Sequence, residues 1–362
     1  LAKRDQIRAE GKFAGIGVAT CLEPSGGNAG FEPLFNAKNP TTTWMESCQV
    51  KIDLNGSITG IIATTSAGQG HESLVSTVIG EVLQRNPDSI RITRTDSLAS
   101  LPSNSPVGSR MAIMLGGAAQ GASEKIRNQL IRIAAHNLQM PVNQLEYRNG
   151  DVVIIKEPNN KIEWCELIEI AHRRYHDLPD DMEPGLQARH VWEVPTGGSM
   201  PAPDGKVQMY PCYSFEAHIP LVSIDPLTGQ VTIHDYYIGH DCGTQINPHI
   251  VHGMTYGGIA HGIGAALYEK FEYNDDGQLL AGTFMDYLLP SAHEIPKVKM
   301  VDHCTPSPLT PMGQKGSGEG GYLGAPAAIA SAVNDALEPL GSEILTLPMR
   351  VQDIEEVLCD AI

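Results

Sequence analysis

The pattern of this chain predicts an α+β fold of two similar lobes, each a mixed sheet with packed helices, and three observations carry that prediction. At 362 residues the chain exceeds the usual single-domain size. Stretches rich in Val, Ile and Thr, bounded by Asp/Asn/Gly turns, alternate with segments of helical period. One unit, a hairpin followed by a polar or Gly-rich loop and then a helix, occurs around residue 51 and again around residue 222.

Taken in order, residues 14–22 and 48–65 read as strands. An Asp53-Leu-Asn-Gly56 turn makes the second stretch a hairpin. Ser66-Ala-Gly-Gln-Gly70 then leads into a helix, with Leu74, Val75, Val78, Ile79, Val82 and Leu83 at helical spacing. Ser105-Pro106 sets a capping hydroxyl before a proline, which predicts a long helix from there to about Asn137. A shorter helix is expected over residues 164–174. Residues 196–211 are rich in Pro, Gly and Met and read as a linker between lobes at 1–195 and 212–362.

In the second lobe the strand around Val222 turns through Asp225-Pro-Leu-Thr-Gly229 and returns to Ile238. A polar loop over 239–245 precedes a helix opened by Asn247-Pro248. That helix carries Gly253, Gly257, Gly258, Gly262 and Gly264. A glycine inside a helix costs about 1 kcal/mol against alanine, so something is expected to pack very close. The last helix, over 352–362, puts Ile354, Val357 and Leu358 on one face.

Composition narrows the function. Net charge is −17 with no Lys/Arg cluster, which argues against nucleic acid and anionic membranes as partners. The seven cysteines form no Cys-x-x-Cys pair, so neither a zinc ribbon nor an iron–sulfur cluster is encoded in this chain. Their odd, scattered set fits the reduced thiols of a cytoplasmic protein. The apolar runs fall short of the ~20 residues a membrane helix needs. The chain begins at Leu1 in what reads as a helix end, the expected look of a processed piece or the second half of something longer.

The most informative stretch is 313–326. Glu319 stands there among Gly313, Gly316, Gly318, Gly320, Gly321 and Gly324, just before an Ala-rich helix. A carboxylate so placed suits a general base, and a Gly-rich surface turn accounts for the loop equally well. Three segments put backbone donors before a helix: 68–70, 105–110 and 318–321. Such positions favour phosphate or another anion. None is a Gly-x-x-x-x-Gly-Lys-Ser/Thr loop or a Rossmann fingerprint. Gln69 is either an amide offered to a ligand or a turn residue bonded to its own backbone. Arg110 is either a phosphate clamp or the partner of a carboxylate. His249 and His252, with His261 further on, lack a third ligand at a spacing that completes a metal site. His71, His240 and Asp241 read as hydrogen-bonding groups.

As an ordered series these segments resemble the molybdenum-binding large subunit of the xanthine oxidase family of molybdenum hydroxylases. The series opens on Arg8-Ala-Glu-Gly-Lys-Phe-Ala-Gly-Ile-Gly17, Gly68-Gln-Gly-His-Glu72, Thr95-Asp96 and Gly108-Ser-Arg110. It continues through Ile246-Asn-Pro248, Gly257-Gly-Ile-Ala-His-Gly-Ile-Gly264 and Gly282-Thr-Phe-Met-Asp-Tyr-Leu-Leu-Pro290, and closes on Lys315-Gly-Ser-Gly-Glu-Gly-Gly321. The resemblance covers nearly the whole chain and the C-terminal half of that subunit, with the aldehyde and carbon monoxide dehydrogenase branch nearest.

The resemblance implies a molybdopterin-binding domain with Glu319 as the active-site base, best kept buried and raised towards neutrality. It makes Gln69 the partner of an oxo ligand of molybdenum. It places Gly68, Gly70, His71, Thr95, Asp96, Ser105, Gly108, Ser109, Arg110, Lys315, Gly316, Ser317 and Gly318 around the cofactor. The metal would be held by the pterin dithiolene and by no protein side chain, with the cytosine dinucleotide form of the pterin expected. The implied reaction hydroxylates an electron-poor carbon of an N-heterocycle, aldehyde or similar small molecule, with water as the oxygen source. Two departures stand out. The family's N-terminal half is absent here, so a partner chain should supply it, beside an iron–sulfur subunit and a subunit carrying FAD. Met254 stands where relatives have Gln. The competing readings are a non-catalytic scaffold beside an active subunit, and a nucleotide-binding module built on the Gly loops.

Overall fold

Two apolar cores organise the computed structural model, which describes residues 1–26, 45–94, 96–104, 106–193, 202–206 and 210–360. Thr95, Ser105 and most of the expected linker lie outside the described residues.

The first core gathers on a four-stranded sheet of order β5-β4-β3-β9, formed by β3 (Met45–Ile52), β4 (Ile58–Ile62), β5 (Arg91–Arg94) and β9 (Leu186–Glu193). Antiparallel β3 and β4 are the hairpin that the 53–56 turn predicts, and β5 joins β4 in parallel. Two helices cover it, α2 (His71–Leu83) and α3 (Met111–Asn137). Val75, Val78, Ile79 and Leu83 of α2 are buried at the predicted spacing. α3 starts five residues later than Pro106 suggests. Gly108 and Ser109 both hold positive φ, +70° and +50°, so the segment cannot enter a helix before Arg110. A small sheet of β6 (Leu145–Arg148), β7 (Asp151–Ile154) and β8 (Glu157–Ile162), with α4 (Trp164–Arg173), closes the far end.

The second core sits on a sheet built around β10 (Cys212–Ile224), which pairs antiparallel with β11 (Val231–Asp241). β12 (Val298–Asp302) extends it in parallel. The other edge of β10 is shared end to end by β1 (Phe13–Ile16) and β2 (Ala19–Ser25), which follow α1 (Ala2–Ala9). Residues 13–25, expected with the first lobe from their place in the chain, thus belong to the sheet of the second core. Helices α5 (Pro248–Leu267), α6 (Gly320–Leu323), α7 (Ala325–Leu337) and α8 (Val351–Asp360) complete it.

Asn247 caps α5 as its sequence predicts, its side chain accepting from the Ile250 N–H at 3.2 Å. The close neighbour demanded by the α5 glycines is α6 with the start of α7. A Cβ on Gly258 would stand 2.8 Å from the Tyr322 nitrogen, and one on Gly262 would meet Ala325. Gly253 and Gly257 face open space instead.

Candidate active site

Three loops far apart in sequence converge on one cavity of about 420 Å³. The loop between β4 and α2 supplies Gln69, Gly70 and His71, and the turn before α3 supplies Gly108, Ser109 and Arg110. Residues 314–319 form the facing wall, and Asn247, Ile250 and Met254 of α5 close a side. Of the sequence-predicted residues, Gly68 and Asp96 stay outside this lining. Asp96 turns its carboxylate back onto the Leu98 and Ala99 N–H groups of an exposed turn.

Gly68 and Gly70 hold φ of +113° and +73°, so the chain doubles back and presents α2 end-on. The Gln69 amide oxygen accepts from the Ala67 N–H at 2.5 Å, the turn-bonded arrangement. Burial lowers the pKa of His71, and its Nδ1 is buried without a hydrogen-bond partner. Arg110 is fully buried. Its guanidinium donates to Glu46 at 2.6 Å and to the Met45 carbonyl, and burial lowers its pKa against the pull of Glu46. Of the two roles open to Arg110, this structure shows the carboxylate pairing.

The 315–319 loop is fastened from behind. Lys315 is buried, donating from Nζ to Thr305 at 2.7 Å and lying 3.5 Å from Asp241. Burial raises the pKa of Asp241, but bonds from Thr305 and Gly243 and the Lys315 charge outweigh it, so it is held low. The Gly316 N–H donates to Ser25 at 3.1 Å, and any side chain at 316 would overlap the Ser109 carbonyl oxygen. Ser317 and Gly318 complete the wall. Glu319 caps α6 at the rim and is exposed, in contrast to the buried base expected from sequence. Its backbone N–H donates to Glu23 at 3.0 Å.

Sequence reasoning missed what lies beneath that loop. Glu23 and Glu216 are buried side by side, and burial pushes each to about 7. Cys21 donates to Glu216 at 3.1 Å. His218 is held down to about 4 by burial and bridges the Gly320 carbonyl and the Tyr236 hydroxyl. The available signal was the alternation of β10, where Ser214, Glu216 and His218 occupy the inward positions of a strand.

The cradle fits an anionic cofactor. Gly108 has open space beside its α-carbon, the ends of α2 and α3 face the cavity, and His71 offers an unpaired ring nitrogen. Among the described residues no group of three or more His, Cys, Asp and Glu is placed to hold a metal ion. His252 bonds Asp302 at 2.9 Å. No helix of the described residues is long and apolar enough to cross a membrane.

Comparison with known proteins places this geometry. The family model of the molybdopterin cofactor-binding domain matches residues 1–296. The nicotine 6-hydroxylase large subunit of Paenarthrobacter nicotinovorans is 32% identical, over 96% of this chain and 41% of that protein. The carbon monoxide dehydrogenase large chain of Hydrogenophaga pseudoflava is 31% identical, over 84% of this chain and 36% of its own. The quinoline 2-oxidoreductase structure from Pseudomonas putida 86 superposes with a TM-score of 0.87 at 30% identity, over 99% of this chain and 43% of that one. The chain therefore spans about two-fifths of the length of these relatives.

Proposed function

The chain belongs to the molybdopterin cofactor-binding domain family, and from that premise we propose that it is the cofactor-side half of the large subunit of a molybdenum hydroxylase. The observation that carries this reading is the convergence of the Gln69 loop, the Gly108–Arg110 turn and the 315–319 loop on one cavity. When bound, the molybdenum–pterin group would acidify a water and take up the two electrons released as that oxygen is added to carbon.

The residues of this chain then have separate tasks. Backbone N–H groups at the starts of α2 and α3 would hold the phosphates of the pterin dinucleotide, for which the cytosine form is proposed. Gln69, its amide oxygen held by the Ala67 N–H, would donate from its NH2 group to an oxygen on the cofactor. Arg110 would act by fixing the turn, with its charge spent on Glu46. Met254 lines the cavity with a thioether and offers no amide there. Glu319 would accept the proton released by the water, as a general base within reach of substrate.

The substrate class proposed is an electron-poor N-heterocycle, because two of the similar proteins are named for nicotine and quinoline. Aldehydes remain the second class. The exposed base, the open faces of Gly253 and Gly257, and exposed Phe284 and Met285 support a covering partner that carries the other half of the large subunit. Iron–sulfur and FAD subunits and a cytoplasmic location complete the proposal.

The test is Glu319→Ala in the purified assembly. Turnover is expected to fall by about 10²–10⁴-fold with molybdenum content unchanged. Turnover that survives with metal intact would support the scaffold reading instead.

A further inference from the structure

Behind the cavity wall a line of exchangeable groups leaves the Glu319 loop and reaches a different surface. It starts beneath that loop at Glu23, whose Oε1 accepts from the Glu319 backbone N–H at 3.0 Å, a bond that anchors the loop over the carboxyl. The charge of Glu319 also reaches the Glu23 carboxyl and raises it. Ser214 lies next, its hydroxyl donating to Glu23 Oε2 at 3.3 Å and standing close enough to Glu216 to lower its carboxyl. Glu216 Oε1 is buried without a hydrogen-bond partner and points at His240, whose Nε2 is 3.7 Å away. Both nitrogens of His240 are likewise buried without a hydrogen bond, and Nδ1 is 3.8 Å from Asp302. Asp302 is partly exposed and accepts from His252 at 2.9 Å, with His252 outside the cavity lining.

Packing alone does not account for these residues. Two carboxylates and an imidazole are buried together, and the described ion pairs bring neither Lys nor Arg to either carboxylate. Groups left unpaired in a protein interior are costly unless they serve a purpose. Gaps of 3.7 and 3.8 Å are closed by small side-chain movements, and imidazole passes a proton between its two nitrogens.

We propose that Glu23, Ser214, Glu216, His240 and Asp302 form a proton exit running from Glu319 to the surface at His252. This rests on the functional reading above. Adding a water oxygen to a C–H bond releases two protons and two electrons, and the electrons pass to the redox partner subunits. With a cofactor and covering chain over the cavity, protons taken by Glu319 need another way out. One proton passes from the Glu319 carboxyl to Glu23 as the Glu319 side chain swings inward. Ser214 takes it from Glu23 while giving its own hydroxyl proton to Glu216, and Glu216 protonates His240 at Nε2. His240 releases its Nδ1 proton to Asp302 and so to solvent. Only O–H and N–H bonds form and break. The carboxyl groups return to their starting state, while His240, left protonated at Nε2, and the Ser214 hydroxyl reset by turning before the next proton passes.

The groups facing Glu216 fit that task. Cys21 and Glu23 face it from β2, His240 and Asp241 from β11, and Ser214 and His218 stand on its own strand. Burial raises both glutamates to about 7 and lowers His240, so the resting imidazole is neutral and holds an added proton only briefly before passing it on.

The experiment compares the purified assembly with its Glu216→Gln, His240→Ala and Asp302→Asn variants. Each variant is expected to turn over about tenfold more slowly, a smaller loss than at Glu319 itself, with metal content unchanged. Imidazole should restore His240→Ala, and the solvent deuterium isotope effect should rise. In infrared difference spectra, the carboxylic acid C=O signal titrating across neutral pH should shrink in Glu216→Gln to the contribution of Glu23 alone. Turnover at the parent rate in Glu216→Gln and His240→Ala would overturn the proposal. So would a loss that imidazole does not restore together with an unchanged infrared band. If a buried variant loses its metal, Asp302→Asn at the exposed end decides: a parent rate there overturns the exit. Failure of the functional reading looks different, because Glu319→Ala would then retain turnover.

Discussion

The two hairpin–loop–helix units share one plan and spend it differently. In the first, β3 and β4 lead through the Gln69 loop into α2; in the second, β10 and β11 lead through residues 242–247 into α5. Each unit also gains a parallel strand, β5 beside β4 and β12 beside β11. The first packs α2 on its sheet with Val75, Val78 and Ile79, an ordinary apolar contact. In the second, α5 meets α6 backbone to backbone at Gly258, and the inward face of β10 carries Ser214, Glu216 and His218. The lesson is a division of labour: one unit sets a loop on an apolar core, and the other places ionisable groups beneath Glu319.

Four changes would break or sharpen that contrast. The largest effect is expected at Glu46, whose carboxylate is buried against Arg110 at the turn serving the first unit. Glu46→Ala leaves a guanidinium buried without its main partner and should cost about 3–5 kcal/mol in denaturant unfolding. The exposed pair Arg132–Asp181 is the control, where Arg132→Ala should cost less than about 1 kcal/mol.

Next comes the pH response, which belongs to the second unit. Glu23 titrates at about 7 in the fold, above its ordinary 4.5, so the folded chain holds that proton more tightly. The stability it contributes is complete below the ordinary value and is lost as pH rises through about 7. The stability of the parent relative to Glu23→Gln should therefore fall across that window, by on the order of 2 kcal/mol. His218 runs the other way. Its value is depressed to about 4, so its contribution is present above 6.5 and is lost as pH falls. Comparing parent and variant isolates the glutamate.

A smaller effect is expected at the helix contact. Gly258→Val would drive a side chain into the Tyr322 nitrogen and the Gly321 backbone. The cost should be about 1–3 kcal/mol, and turnover should fall as the Glu319 loop shifts. A Val at Gly257, which faces open space, should leave the isolated chain almost unchanged while weakening assembly with a covering chain. The smallest change is Asn247→Ala, which removes the cap of α5 and should cost about 1 kcal/mol.

Much of the fold was legible in the sequence because its signals are local. The hairpin at 53–56, the buried stripe of α2, the Asn247 cap and the apolar face of α8 each depend on residues a few positions apart. The start of α3 is not set by the pair at 105–106, because the left-handed backbone at Gly108 and Ser109 keeps the intervening turn out of the helix. The candidate loops were legible too, since glycine around a lone glutamate is a local pattern, and their ordered series carried the family resemblance.

Other features are decided by partners hundreds of residues away. Glu319 meets Glu23 across 296 residues, Gly316 meets Ser25 across 291, and β1 and β2 cross over to flank β10. Sequence leaves Arg110 ambiguous, because a guanidinium serves a phosphate and a carboxylate equally well, and the fold pairs it with Glu46. The sequence by itself determined the periodicity, the turns and the identity of the loop residues, because these follow from backbone preference and side-chain alternation. Only the tertiary structure decided which charges are buried together, because burial and electrostatic coupling depend on distance in space and not along the chain.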